Sequence, residues 1–294
     1  MTIRWGVSPI AWSNDDMPEL GGDTPLDDIF RDIREVGFEG VEMGGRFPKE
    51  PAALKAALGG LDMIGGWYSG SLLVQDAEAE IVAMQPHLDL LKAMGSTVFV
   101  FAETSNAVHG NRSVPLSGTP RLGTGDWAQF GARLTAVADY LAGEGFKFAY
   151  HHHLGTVVET AADVDAFIAN TGPSVGLTLD TGHAALGGVN SLAIIRDHPE
   201  RVVHVHCKDV RWETFTKAKK GGSSFLDGVL AGMFTVPGDG GLDYVEVMSA
   251  LKRMDYSGWI VIEAEQDPAL ADPRTYADLG LRTLKARAAE AGLV

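Results

Sequence analysis

The sequence predicts an α/β fold, a (β/α)8 barrel, from three observations. The chain has 294 residues, 45% of them hydrophobic, enough for one large barrel core spanning residues 1–294. Strand-like and helix-like segments alternate along its whole length. Three apolar runs stop abruptly on polar, metal-competent side chains: Gly176–His183, Val202–Asp209 and Trp259–Glu265. Parallel strands of one barrel bring such ends together at its C-terminal face. No Gly-x-Gly-x-x-Gly turn follows the first strand, which argues against an open dinucleotide-binding sheet.

Arg4–Ile10 reads as the first strand and 11–18 as a polar loop. Thr24 is expected to cap the next helix, with Pro25 at its first position and Asp27 and Asp28 facing its positive end. Gly37 ends it. Gly40–Met43 is a short strand, Pro51–Leu58 a helix and Leu61–Trp67 a third strand. Glu78–Met94 has helical periodicity, and Pro86 is expected to kink or divide it. Thr97–Glu103 is apolar throughout, as a strand covered on both faces should be. An irregular insertion near 104–125 follows, then a helix Trp127–Leu141 with Asp126 as cap, and a fifth strand Phe146–Tyr150. A helix from Glu159 to Asn170, a short helix near Leu192–Arg196 and the helices Tyr244–Met254 and Tyr276–Ala291 complete the pattern. A second irregular insertion is expected near 211–241, with Lys217, Lys219 and Lys220 on a mobile surface loop.

A formal charge of −15 and a pI near 4.9 oppose polyanionic partners, so neither nucleic acid nor an anionic membrane is expected. Cys207 is the sole cysteine, no signal-peptide pattern opens the chain and no apolar run reaches bilayer length. These features point to a cytoplasmic protein. The oligomeric state is open between a monomer and a homo-oligomer.

Asp180, buried and ionised at a strand end, needs a cation, hydrogen bonds or a raised pKa; helix capping is its bland alternative. His206 and Glu263 hold equivalent positions on later strands, and such nitrogen and oxygen donors suit manganese, cobalt, iron or zinc. The fourth ligand is open among Glu159, His151, His153 and Glu265. Strand alternation puts His151 and His153 on one side and His152, packed or exposed, on the other. His183 is expected to touch substrate at the rim, and His204 to be a satisfied core histidine. His87, His109 and His198 carry no assigned role. Asn14, Asp15 and Asp16 line the pocket or make a turn.

These residues carry a resemblance. Ser8–Pro18 (with Asn-Asp-Asp-Met-Pro), the stretch His151–Thr156 and Gly258–Pro268 resemble the inosose dehydratase branch of the xylose-isomerase-like barrel superfamily, end to end. The superfamily binds a divalent metal through Glu, Asp, His and Glu. Carried over, Asp180, His206 and Glu263 match, whereas His151 stands where the first Glu belongs. Glu159 is then the expected fourth ligand, with manganese or cobalt as the metal. The resemblance implies a small cyclic keto-polyol substrate, 2-keto-myo-inositol (scyllo-inosose). It would be dehydrated in inositol catabolism to a trihydroxycyclohexane-dione, by α-proton abstraction, a metal-stabilised enediolate and loss of the β-hydroxide. His153 or His151 is expected as base, with His183 and Lys208 orienting hydroxyls unless Asp209 claims Lys208. A sugar isomerase or epimerase on the same barrel is the alternative. The acidic charge opposes an endonuclease, and converging metal ligands oppose a non-catalytic binding protein.

Overall fold

Eight parallel strands close on one another in the computed structural model, which describes residues 2–294. In chain order the barrel strands are β1 (Ile3–Val7), β2 (Gly40–Met43), β3 (Asp62–Gly70), β4 (Val98–Glu103), β5 (Lys147–His151), β6 (Val175–Asp180), β7 (Val202–Cys207) and β10 (Gly258–Ile262). Closure comes from β1 against β10, where Ile3 pairs with Gly258 and Val7 with Ile262. Every residue of β2, β4 and β6 is buried, because helices cover the outside and side chains fill the inside.

Register sets the functional rim. Asp180 pairs with His206 across β6 and β7, and Ile262 pairs with Cys207 across β10 and β7. His151 pairs with Thr178, two residues before Asp180 and on the same side of the strand. The ends of β5, β6, β7 and β10 therefore meet at one height.

The helices are α1 (Leu26–Val36), α2 (Pro51–Leu58), α3 (Ala77–Ala93), α4 (Trp127–Gly143), α5 (Ala161–Asn170), α6 (Thr181–Gly187), α7 (Ser191–Asp197), α8 (Trp212–Lys220), α9 (Phe225–Leu230), α10 (Tyr244–Arg253) and α11 (Pro273–Ala291). Their apolar faces pack on the barrel through side chains such as Ile29, Phe30, Leu88, Leu134, Phe167 and Leu284, all fully buried. Gly37 ends α1 at φ +98°, a conformation that costs glycine little.

Several local expectations change. The first strand stops at Val7; Pro9 has no N–H for the ladder, and Pro9–Ala11 forms a 3-10 turn instead. Thr24 makes no cap: Pro25, in extended conformation, occupies that position and offers no side-chain bond. Helix α3 runs unbroken through Pro86, started by the Asp76 carboxylate on the Ala79 N–H. Asp126 does not cap α4, because its carboxylate accepts from Gly123 N at 3.1 Å. Helix α5 begins at Ala161 with a reciprocal Thr160–Asp163 capping box, so Glu159 lies outside it.

The segment 211–241 is not irregular. It holds α8 and α9 and then β9 (Phe234–Thr235), which pairs antiparallel with β8 (Asp209–Val210). Lys217, Lys219 and Lys220 fall in the last turn of α8, where cations meet the negative helix end. Leu186, Phe225, Val229, Met233 and Phe234 form a separate small core beneath this excursion. Among the described residues no helix is long and apolar enough to cross a membrane.

Candidate active site

Four donor side chains converge at the rim. His151, Asp180, His206 and Glu263 each offer one atom, and these atoms all lie within 4.8 Å of one another. The sequence leaves the fourth position open and favours Glu159; it is His151 that lies with the other three donors, while the Glu159 carboxylate is bonded elsewhere. Glu159 Oε2 accepts from the Thr119 hydroxyl at 2.6 Å and from Gly155 N at 2.7 Å, and its Oε1 from Arg121 at 3.0 Å.

Each donor is aimed by a second bond. His151 Nδ1 stands 3.0 Å from the His152 carbonyl, which fixes the proton there and turns the Nε2 lone pair toward the cluster. Asp180 divides its carboxylate: Oδ1 caps α6 by accepting from Gly182 N and His183 N, both at 2.8 Å, while Oδ2 has no hydrogen-bond partner and is fully buried. Capping and site formation are thus two jobs of one residue. His206 points Nε2 at Glu42 (3.0 Å) and Nδ1 at Glu263 (2.9 Å).

Electrostatics expose a shortage of positive charge. Burial pushes the Glu42 carboxyl up, but His206 and His204 outweigh it and hold it at about 2. Burial lowers His206, yet the flanking Glu42 and Glu263 carboxylates lift it well above its ordinary value. For Asp180 burial wins and its pKa is raised despite Lys208. A divalent cation would relieve this imbalance, and two imidazole nitrogens with two carboxylate oxygens form a donor set that suits it. The orphaned Asp180 Oδ2 is the atom that most needs such a partner.

A neighbouring group, His153, His183 and Glu265, also brings its donor atoms within 4.8 Å. Its cation is already built in. The Lys208 ammonium, fully buried, lies 2.8 Å from Glu265, 2.9 Å from His183 Nε2 and 3.2 Å from Glu263. Burial lowers the Lys208 pKa, but the three surrounding carboxylates raise it further and keep it charged. Asp209 does not compete, since its carboxylate accepts from Val210 N (2.8 Å) and Leu242 N (2.9 Å). His183 sits below the open rim, 1% exposed, between His153 at 3.7 Å and Phe234 at 5.1 Å, measured between ring centroids.

His153 donates Nδ1–H to the Leu154 carbonyl at 2.7 Å, so its Nε2 keeps a free lone pair. Burial, with His109, His151 and Lys208 nearby, holds its pKa well below the ordinary histidine range. It faces a cavity of about 350 Å³ that Asp15, Asp16, Lys49, Trp67, Glu263 and Glu265 also line. Asn14 takes the turn role, its Oδ1 accepting from Asp16 N (2.8 Å) and Met17 N (2.9 Å). His152 is buried with both ring nitrogens unpartnered, and burial holds it neutral, at about 3. His204 packs in the interior with Nε2 2.8 Å from Glu42.

Sequence reasoning missed three contributors. Glu42 closes β2 on the rim; a carboxylate ending an apolar strand was its signal, unread because the strand is short. Trp67 sets its indole edge against His151 and His153 at 5.3 and 5.6 Å. His109, left without a role, packs on His153 at 5.0 Å from inside the 104–125 segment. His87 is among the residues that line the cavity, while His198 ends α7 and is not.

Comparison with known proteins follows this geometry. The family model described as xylose isomerase-like TIM barrel matches residues 30–287. This chain belongs to that family. Within the xylose isomerase-like barrels it is 46% identical to the rhizopine catabolism protein MocC of Rhizobium meliloti, covering 99% of this chain and 90% of that protein. It is 39% identical to inosose dehydratase of Geobacillus thermodenitrificans, covering 94% of each. A xylose isomerase domain protein from Alicyclobacillus acidocaldarius superposes with a TM-score of 0.70 at 19% identity, covering 99% of this chain and all of that one, which bears on the fold alone.

Proposed function

We propose that this family member is an inosose dehydratase, removing water from 2-keto-myo-inositol in inositol catabolism. The observation that supports the reading is the cavity at the barrel rim: His206 and Glu263, two of the four clustered donors, line it together with His153, whose Nε2 lone pair is free. Relatives named inosose dehydratase, 39% identical over most of the chain, select the substrate.

In this reading His151 Nε2, Asp180 Oδ2, His206 Nδ1 and Glu263 Oε2 hold one divalent metal, manganese or cobalt foremost. Bound there, the ion supplies Lewis-acid stabilisation of charge developing on the ketone oxygen, an effect of several kcal/mol. His153 Nε2 takes the proton from the carbon next to the ketone. The C–H electron pair moves toward the carbonyl, and the bond to the β-hydroxyl then breaks. The leaving hydroxide takes its proton back from the His153 imidazolium and departs as water. One C–H and one C–O bond are lost, and the enol formed is a tautomer of the dione.

Lys208 and His183 act one step back from the cavity, fixing the Glu265 carboxylate that lines it. Asp15 and Asp16 supply hydroxyl acceptors from the loop after β1. Trp67, Phe225 and the two excursions keep water from the reacting carbons. In this reading the enzyme works in the cytoplasm on a small molecule, which the net charge of −15 and the single cysteine support.

Incubation of the metal-loaded protein with 2-keto-myo-inositol, read by ultraviolet absorbance of the conjugated dione, tests this function. The 46% identity to MocC supports a second reading, in which the same dehydration serves rhizopine catabolism. An inert 2-keto-myo-inositol together with turnover of a rhizopine-derived ketone would select it.

A further inference from the structure

Glu159 is 8% exposed, yet it contributes to none of the donor clusters. A buried carboxylate is costly unless hydrogen bonds replace its water. Here they come from two directions. The Thr119 hydroxyl and the Arg121 guanidinium approach from the 104–125 segment, and Gly155 N approaches from the turn that follows His153. Arg121 also pairs with Asp163 in the first turn of α5.

The same segment is fastened to that turn a second time. Val108 N donates to the Gly155 carbonyl at 2.8 Å, and His109 lies against the His153 ring. Gly155 adopts φ +80°, and a Cβ there would stand 2.9 Å from His109 N, so glycine permits the approach. Farther along, Leu116 N donates to the Ser223 carbonyl at 2.8 Å, and Phe225 beyond it packs on His153 at 5.0 Å. His153 is therefore held between two excursions that are tied to each other.

We propose that Glu159 is a positioning residue for the reaction: it latches segment 104–125 onto the turn after His153 and so fixes the angle of that imidazole. The proposal rests on His153 as the base. Loss of the carboxylate leaves Gly155 N–H without its partner, takes from Arg121 one of its two carboxylates and loosens the segment that presses His109 onto His153. A misplacement of the imidazole by about 1 Å costs about 100-fold in turnover.

The test compares Glu159→Ala, Glu159→Gln and Thr119→Val, each loaded with manganese. Bound metal, kcat and KM for 2-keto-myo-inositol, and amide hydrogen exchange across 104–125 are measured. The latch predicts wild-type metal content in all three, a fall in kcat larger than the change in KM, partial rescue by Gln and faster exchange in 104–125. Thr119→Val keeps the carboxylate and still shows the effect if Glu159→Ala fails to fold. Loss of the metal in both Glu159 variants overturns the proposal in favour of a ligand role, and unchanged kcat and exchange overturn it outright. If wild type is inert toward 2-keto-myo-inositol while exchange in 104–125 still accelerates, the latch stands and the substrate assignment falls.

Discussion

His151 Nε2 and Asp180 Oδ2 face each other across 3.7 Å of buried space. The imidazole spends its proton on the His152 carbonyl and the carboxylate oxygen has no donor, so two lone pairs meet with nothing between them. His206 Nδ1, 3.2 Å from His151 Nε2, and the Lys208 ammonium, 3.7 Å from Asp180 Oδ2, compensate in part, and a divalent cation between the two atoms would complete the pairing. Titration of metal-stripped protein with manganese should show one ion per chain. At a hundredfold excess over Kd the linkage is about 2.7 kcal/mol, which should raise Tm by several degrees. A Tm indifferent to manganese, cobalt and zinc would mean that the four donors are held together for structural reasons alone.

Glu42 reaches His206 Nε2 at 3.0 Å and leaves Nδ1 to face the cluster. Removing its charge should loosen the orientation of the ring. Glu42→Gln is expected to weaken metal binding about 10–100-fold while the barrel stays folded. Competition with a chelator of known affinity measures this, and an unaltered Kd would remove Glu42 from the site.

His153 offers the free Nε2 of the cavity. His153→Asn keeps an N–H donor at the Nδ1 position for the Leu154 carbonyl but has no basic nitrogen, so kcat should fall about 10²–10⁴-fold with metal stoichiometry unchanged. Turnover at the wild-type rate would transfer the base role to another residue.

His87 Nε2 stands 3.4 Å from the Gly66 carbonyl in a largely apolar setting, and burial lowers its pKa below the ordinary 6.5. The unfolded chain takes up this proton first as pH falls. The stability His87 contributes is therefore complete above about pH 6.5 and lost as pH drops through the folded value. Urea unfolding of His87→Gln from pH 7 to pH 5 should show a shallower loss of stability than wild type. Parallel curves would show that the acid sensitivity arises elsewhere.

The barrel and three of its four clustered donors were legible because their signals are local. An apolar run ending in Asp180, His206 or Glu263 declares a strand and its functional end within a few residues. The His151/Glu159 choice was not local. What occupies the Glu159 carboxylate comes from Thr119 and Arg121, whose approach depends on how 104–125 folds back, and no periodicity encodes that. The 211–241 segment hid for a different reason. Its glycines, serines and lysines read as loop, whereas the buried Phe225 and Val229 that order it share one face of a helix of only 6 residues, too short to stand out as a periodic stripe. Pro86 misled because its missing N–H costs a single bond in a helix otherwise well packed through Met84, Leu88 and Leu91.

The proposed reaction is a metal-dependent dehydration carried by the cluster of His151, Asp180, His206 and Glu263. Its most direct test follows ultraviolet absorbance of metal-stripped protein with 2-keto-myo-inositol before and after manganese or cobalt is added. No chromophore is expected without metal, and steady growth of a dione chromophore with it. Equal growth with and without metal, or change in the configuration of the polyol with no chromophore, would contradict it.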